Sequence, residues 1–565
     1  YLERSSTLLG TGNLITNVIN IRARAFAFDR TTVVVRSLAI ASLLLLSSRR
    51  GLAGFSRVTG VQTCAIPIPI TINFMKKSCL LVLSLLLVTS TWSAVTLPNV
   101  IGNDMVLQRD LPVPIWGWAE PNEIVIVAFA GQTKQTKANA QGKWMVKLDK
   151  LSANFKPSIL SIKGSNEIKL QNILVGEVWI CSGQSNMEWS VKQSLNAQRE
   201  IAAANYPNIR LFNVPDHTLH PIPQRKGRGQ WEVCSSQSIP GFSAVGYAFG
   251  RRIQESVNIP VGLIGSNWGG TRIEPWTTEQ GFRSVPQLVH QANQSRDYTK
   301  ETKVNPSMPS AIYNSMVHPL TPFAMRGAIW YQGESNGNEG ESYYHKKHAL
   351  VNGWREAFQN QNLAFYWTQL CSWDHGNLFK KGTPDKHTWA RDWGPLREAQ
   401  FKALDIPNTG MAVIIDLADA HNPGDIHPRN KQDVGWRLAR WALQQTYAKK
   451  DLIPSGPLLA KQEIQKDKIR LSFNYTGRGL MVGEKKGTEP TKPLPDGKLA
   501  EFEIAGVDKQ WFPADAIIDG KQVVVSSPQV ENPVSVRYAY YICPIRANLY
   551  NQEGLPASPF RTDNW

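Results

Sequence analysis

The first 74 residues contain no methionine, no tryptophan and no lysine, although the whole chain carries 19 Trp and 9 Met. They hold eight arginines against two acids, Glu3 and Asp29. The piece from Ser56 to Pro69 resembles translated sequencing-adaptor DNA more than a protein domain. Residues 1–74 are therefore read as a non-native extension and set aside from fold reasoning. Long apolar runs are scarce as well. Leu38 to Leu46 and Cys79 to Val88 both fall short of the roughly 20 residues that cross a bilayer, so no stable membrane anchor is expected.

Cysteine is sparse, with six in 565 residues. Cys181, Cys234, Cys371 and Cys543 are widely separated and lack metal-ligand spacing, so no metal and no cofactor are expected. One or two disulfides and free buried thiols are both open readings. Of the formal net charge of +17, residues 1–74 supply +6 and Lys76 and Lys77 supply +2. The remaining +9 is spread over a long chain with no basic run interleaved with aromatics, which excludes a nucleic-acid partner.

Met75 opens a conventional secretory leader over residues 75–94: Lys76-Lys77, the apolar stretch to Val88, and a small-residue exit at Ser93-Ala94. A secreted or periplasmic location follows as the expectation. The rest is too long for one core. Residues 95–172 alternate short β-type runs with Gly- and Asn-rich turns, the pattern of a β-sandwich-like domain. Residues 451–565 read as a second β-rich domain. Between them, residues 173–450 alternate strands and helices: strand 178–180, a helix capped by Ser243, strand 261–264, helix 345–358, strand 364–367, strand 412–415 and helix 431–447. That alternation favours an α/β domain with a parallel sheet and helices on both faces. Residues 373–395 read as a loop insertion.

Open α/β sheets place their sites at strand ends, and four polar stretches fall there. The first is Gly183-Gln184-Ser185-Asn186, where strand, tight turn and helix would lift a serine hydroxyl above the sheet. The second is Trp268-Gly269-Gly270-Thr271-Arg272, whose glycines let backbone N–H groups approach a ligand closely. The third is Trp330-Tyr331-Gln332-Gly333-Glu334-Ser335, a strand emptying into amide and carboxylate side chains. The fourth is Asp425-Ile426-His427-Pro428, where proline keeps His427 out of a helix and Asp425 could orient it. His421 with Asp419 and His375 with Asp374 are rival pairs.

Together the four stretches resemble the sialate O-acetylesterase-like carbohydrate esterases of the SGNH-hydrolase superfamily, in that family's order. Met105-Val106-Leu107-Gln108-Arg109 extends the resemblance. It implies a three-layer αβα catalytic domain flanked by β-sandwich-like domains, and a serine esterase that removes O-acetyl groups from sugars. By the same resemblance Ser185 is the nucleophile, His427 the base and Asp425 its orienter. Backbone N–H groups of Ser185 and Gly270 and the Gln332 amide would form the oxyanion hole. Two departures stand out: Gly424 occupies the position where many superfamily members carry the Asp, and Gln332 replaces their Asn. The first leaves a Ser–His dyad open. Trp189, Trp268, Trp276 and Trp330 are candidate sugar-stacking residues, with Arg272 and Glu334 as further substrate contacts. The rival readings are a glycosidase using Glu188 and Glu334, and a non-catalytic carbohydrate-binding protein.

Overall fold

The computed structural model describes residues 94–375, 393–419 and 421–565. The extension 1–74, the leader up to Ser93 and residues 376–392 of the expected insertion lie outside them. The strand that organises the rest is β7 (Glu167–Gly183), whose character changes midway. Glu167 to Asn172 mix polar and apolar residues with partial exposure, but Ile173 to Gly183 are buried without interruption. Continuous burial belongs to a strand covered on both faces.

The two halves accordingly join different partners. Glu167 to Gly176 pair with β1 (Val106–Gln108) in parallel, through Leu174–Gly176, and with β6 (Asn154–Lys163) antiparallel, before the strand enters the central sheet at Glu177. Then β6 carries β3 (Ile124–Phe129), and β3 carries β4 (Gln132–Lys137). Strands β2 (Val113–Trp118) and β5 (Lys143–Leu148) form a separate antiparallel ribbon. The second half lies in the central sheet, in the order β13 (Thr409–Ala412), β12 (Ala364–Thr368), β11 (Gly327–Tyr331), β7, β10 (Val261–Asn267), β8 (Asn205–Asn213), β9 (Trp231–Ser235). Neighbours from β13 to β8 are parallel, and β9 runs antiparallel at the edge. The expected 172/173 division falls inside β7.

Helices cover both faces. We label α1 (Ser185–Glu188), α2 (Ala244–Val257), α3 (Glu341–Ala357), α4 (Gly394–Lys402) and α5 (Lys431–Trp441). Ser243 caps α2 by accepting from the Gly246 amide at 3.1 Å. Val245, Phe249 and Ile253 of α2 are buried at helical spacing, and Phe249 meets Trp179 of β7 at 5.0 Å. On the same face α5 presses on α2 so closely that a Cβ at Gly435 would lie 2.6 Å from the Val245 carbonyl oxygen. On the other face Trp354 of α3 packs edge-on against Trp330 of β11 at 6.0 Å. The three-layer αβα arrangement is thus present, with antiparallel β-sheets following it from Leu458 to Arg561.

Some element boundaries differ from expectation. The last central strand is Thr409–Ala412 rather than 412–415, because pairing with Phe365–Thr368 ends at Ala412. The helix expected at 345–358 starts earlier, at Glu341. The one expected to reach 447 ends as α-helix at Trp441 and widens into a π-helical turn, Ala442–Thr446. Cys181, Cys234, Cys371 and Cys543 are free and buried. No helix among the described residues is long and apolar enough to cross a membrane.

Candidate active site

Register brings the strand ends level. Gly183 at the end of β7 lies opposite Asn267 of β10 and Tyr331 of β11. All three polar blocks therefore leave the sheet at one height. Gly183 has φ +140°, and a Cβ there would sit 2.1 Å from the Tyr331 carbonyl oxygen. Only glycine lets β7 approach β11 this closely while turning into α1. The turn raises Ser185, half-buried, at the start of α1.

His427 reaches this serine from the loop between β13 and α5. Its Nε2 is 2.9 Å from Ser185 Oγ, and its Nδ1 is 3.2 Å from Asp425 Oδ1. The same Asp425 oxygen accepts the His427 backbone N–H at 2.9 Å, fixing the carboxylate against the imidazole. Trp189 stacks on the ring at 4.8 Å and 18°. Burial, and after it the neighbouring Lys431 ammonium, hold His427 below the ordinary histidine value, with Asp425 pulling the other way. The imidazole is thus neutral at pH 7 and free to take a proton. Among the described residues, neither rival pair is hydrogen-bonded to the serine. Asp419 accepts from the exposed His421 backbone, and His375 packs on Trp373 at 4.5 Å.

The Gly269-Gly270 turn lies against Ser185: a Cβ at Gly269 would come within 3.2 Å of Ser185 Cβ. Glu188 Oε2 holds the Gly269 N–H at 2.6 Å, and Gly270 turns through φ +74°. Among the described residues, the N–H groups of Ser185 and Gly270 have no acceptor. They are two donors on adjoining turns beside Ser185 that could serve an oxyanion.

Gln332 is not a third donor of this kind, which corrects the expectation. Its Nε2 donates to the Thr271 carbonyl at 3.2 Å and to Asn336 Oδ1 at 2.8 Å, and its Oε1 accepts from Tyr343 at 2.9 Å. Both amide protons are engaged, and the side chain is fully buried. Gln332 instead braces the turn that carries Gly270.

The substrate-contact candidates divide. Trp330 and Trp276 are fully buried and packed edge-on against each other at 6.0 Å, so neither can stack on a sugar. Glu334 is buried too, with Oε1 accepting from Asn186 Nδ2 at 2.5 Å. Burial raises its pKa. Arg272 is tied to Glu274 at 2.9 Å, to Glu339 and to the Ser335 carbonyl at 3.2 Å. Trp268 is half-buried beside the glycine turn, and the exposed His217 stacks flat on it at 4.8 Å and 7°. His217 Nε2 is 2.8 Å from Glu188 Oε1. Glu188 and Glu334 are each engaged with protein partners, one on the surface and one buried, unlike the paired carboxylates of a glycosidase. Among the described residues, no three His, Cys, Asp or Glu side chains cluster as metal ligands would.

The family described as carbohydrate esterase, sialic acid-specific acetylesterase matches residues 175–444. Human sialate O-acetylesterase is 32% identical over 498 residues, covering 81% of this chain and 91% of the human protein. The chain belongs to this family of carbohydrate esterases. The sialate O-acetylesterase of Mus musculus is 29% identical over 520 residues, covering 81% of this chain and 93% of the mouse protein. A solved carbohydrate acetylesterase from Xanthomonas citri is 37% identical with a TM-score of 0.72, spanning 84% of this chain and all of that one. This chain is accordingly an esterase of the hydrolase class.

Two residues at the site were given no role by the sequence reading, although Asn186 belongs to the first polar stretch. Asn186, next to Ser185, donates to the Ile426 carbonyl at 3.1 Å as well as to Glu334. Lys431, fully buried, donates its Nζ to Asn186 Oδ1. One signal was available: Lys431 is the first residue of α5, where the helix dipole disfavours a cation.

Proposed function

We propose that the protein removes O-acetyl groups from acetylated sugars through an acetyl-Ser185 intermediate. The 2.9 Å contact between Ser185 Oγ and His427 Nε2, in a chain of this family, carries the reading. Ser185 Oγ attacks the acetyl carbonyl while its proton passes to His427 Nε2. Negative charge develops on the carbonyl oxygen and is met by the N–H groups of Ser185 and Gly270, each such donor being worth about 10²–10³ in rate. Collapse breaks the ester bond, and His427 returns the proton to the departing sugar oxygen. Water then attacks the acetyl-serine by the same route, releasing acetate and restoring Ser185. Asp425 holds the imidazole in the tautomer that presents a bare Nε2, and stabilises the imidazolium.

Trp268 and His217 form an aromatic wall beside the nucleophile, suited to the apolar face of a sugar ring. The related mammalian proteins bear the name sialate O-acetylesterase and the Xanthomonas citri protein that of carbohydrate acetylesterase, which makes O-acetylated sialic acid the first substrate to try and other O-acetylated carbohydrates the second. The charged, apolar and small-residue succession from Met75 to Ala94 supports export to the periplasm or the exterior. The test is acetate release from a panel of O-acetylated glycans. The reading expects release from at least one sugar class, abolished in Ser185→Ala; release that survives this substitution would overturn it.

A further inference from the structure

The Ser185–His427 pair joins two segments far apart in the chain, and a single buried lysine touches the support of both. Lys431 is fully buried at the start of α5, and its Nζ donates to Asn186 Oδ1. An ammonium only donates, so the Asn186 oxygen must face it and the Asn186 Nδ2 must face the other way. That Nδ2 donates to the Ile426 carbonyl at 3.1 Å and to Glu334 Oε1 at 2.5 Å. Asn186 follows the nucleophile directly, and Ile426 directly precedes the base. Lys431 therefore sets the orientation of an amide that ties the Ser185 backbone to the His427 backbone. Its Nζ also lies 5.6 Å from the centre of the Trp189 ring, which stacks on His427, and 5.3 Å from that of Tyr331.

We infer that Lys431 is a positioning residue for the nucleophile–base pair, acting through Asn186 and the Trp189 ring that stacks on His427. The inference rests on the Ser185–His427 reading above. Lys431 touches neither reacting atom. The charged and titratable groups around it are Glu334 of the third block, Cys371 after β12, Asp425 and His427 of the catalytic loop, and the Tyr331 phenol beneath. Burial pulls Lys431 down to about 7, with Glu334, Cys371 and Asp425 acting against that fall. Below that pH it is charged beside the imidazole. A proton on His427 then meets a like charge, so the base stays unprotonated further into acid than an isolated histidine would.

The experiment is the pH profile of kcat/KM for an aryl acetate in the wild type, Lys431→Met and Lys431→Gln, with Ser185→Ala alongside. Glutamine keeps a donor toward Asn186 but carries no charge; methionine keeps neither. In both variants the acid limb should move to higher pH, because the like charge is gone. Lys431→Met should also lose about tenfold in kcat from misplacement of the pair, with KM changed less than about threefold, and Lys431→Gln should recover part of that loss. If Lys431→Met fails to fold, the limb of Lys431→Gln decides. An unmoved acid limb with kcat within about threefold of wild type, while Ser185→Ala is inactive, overturns the role of Lys431 and leaves the nucleophile standing. Activity that persists in Ser185→Ala overturns both.

Discussion

Trp330 and Tyr331 are neighbours on β11, and each faces a buried lysine across opposite sides of the sheet. Beneath Trp330, Lys347 of α3 sits among the rings of Trp330, Tyr343 and Trp367 at 5.2–5.5 Å. Its Nζ has no hydrogen-bond partner among the described residues. Beneath Tyr331, Lys431 of α5 also lies over aromatic rings, but it is bonded to Asn186 and has Glu334 nearby. Burial lowers both lysines, Lys347 far below its ordinary range and Lys431 to about 7. The same residue type, equally buried, is a packed stem on one face and part of a polar network on the other. Burial alone therefore says little about function. What matters is whether the buried group organises other groups, and the Lys431 side reaches, through Asn186, the loop that carries His427.

That contrast can be tested face by face. The largest effect is expected from Trp330→Ala, which empties the centre of the Trp276, Trp354 and Phe365 cluster. It should cost about 3–5 kcal/mol of stability by denaturant unfolding, with activity per folded molecule retained. A matching loss of catalytic rate at full stability would mean that Trp330 contacts substrate after all. Next comes the pair of lysines. Lys431→Met leaves Asn186 Oδ1 without its donor and should destabilise by about 1–3 kcal/mol.

Lys347→Met should do the opposite and stabilise the fold by about 1–3 kcal/mol near neutral pH. The sign follows from proton counts. Folded Lys347 holds fewer protons than the unfolded chain between its depressed value and the ordinary 10.5, so wild-type stability rises with pH across that window. Methionine removes this dependence, and its advantage should shrink as the pH approaches 10.5. Attraction of the ammonium to the three rings works against the gain. A destabilised Lys347→Met at pH 7 would show that this attraction wins. The smallest effect is expected from Tyr331→Phe, since its buried hydroxyl has no partner among the described residues. Removing that unbonded hydroxyl should raise stability by up to about 1 kcal/mol.

Much of the site was legible because strand ends concentrate chemistry. Ser185, Gly270 and His427 each follow an apolar run, and parallel register brings the first two together. Two features were hidden by one-dimensional adjacency. Trp330 and Gln332 belong to a candidate motif in sequence, but alternate residues of a strand point to opposite faces, and both side chains turn into the core. The length of β7 was hidden for a different reason: its first half reads as a surface strand and its second as a buried one, so the sequence suggests two elements in place of one. Lys431 was passed over because a lysine opening a helix looks like a solvated end. Only the fold reveals that this end is buried against Asn186.

The central claim is that Ser185 is acetylated during turnover with His427 as its base. The direct measurement is mass spectrometry of enzyme quenched with acid during aryl acetate hydrolysis, in the wild type and in His427→Ala. An acetyl group on the peptide that contains Ser185 in the wild type, absent or strongly slowed in His427→Ala, is the result predicted. Turnover that proceeds with no adduct, or with the acetyl group on another residue, would contradict it.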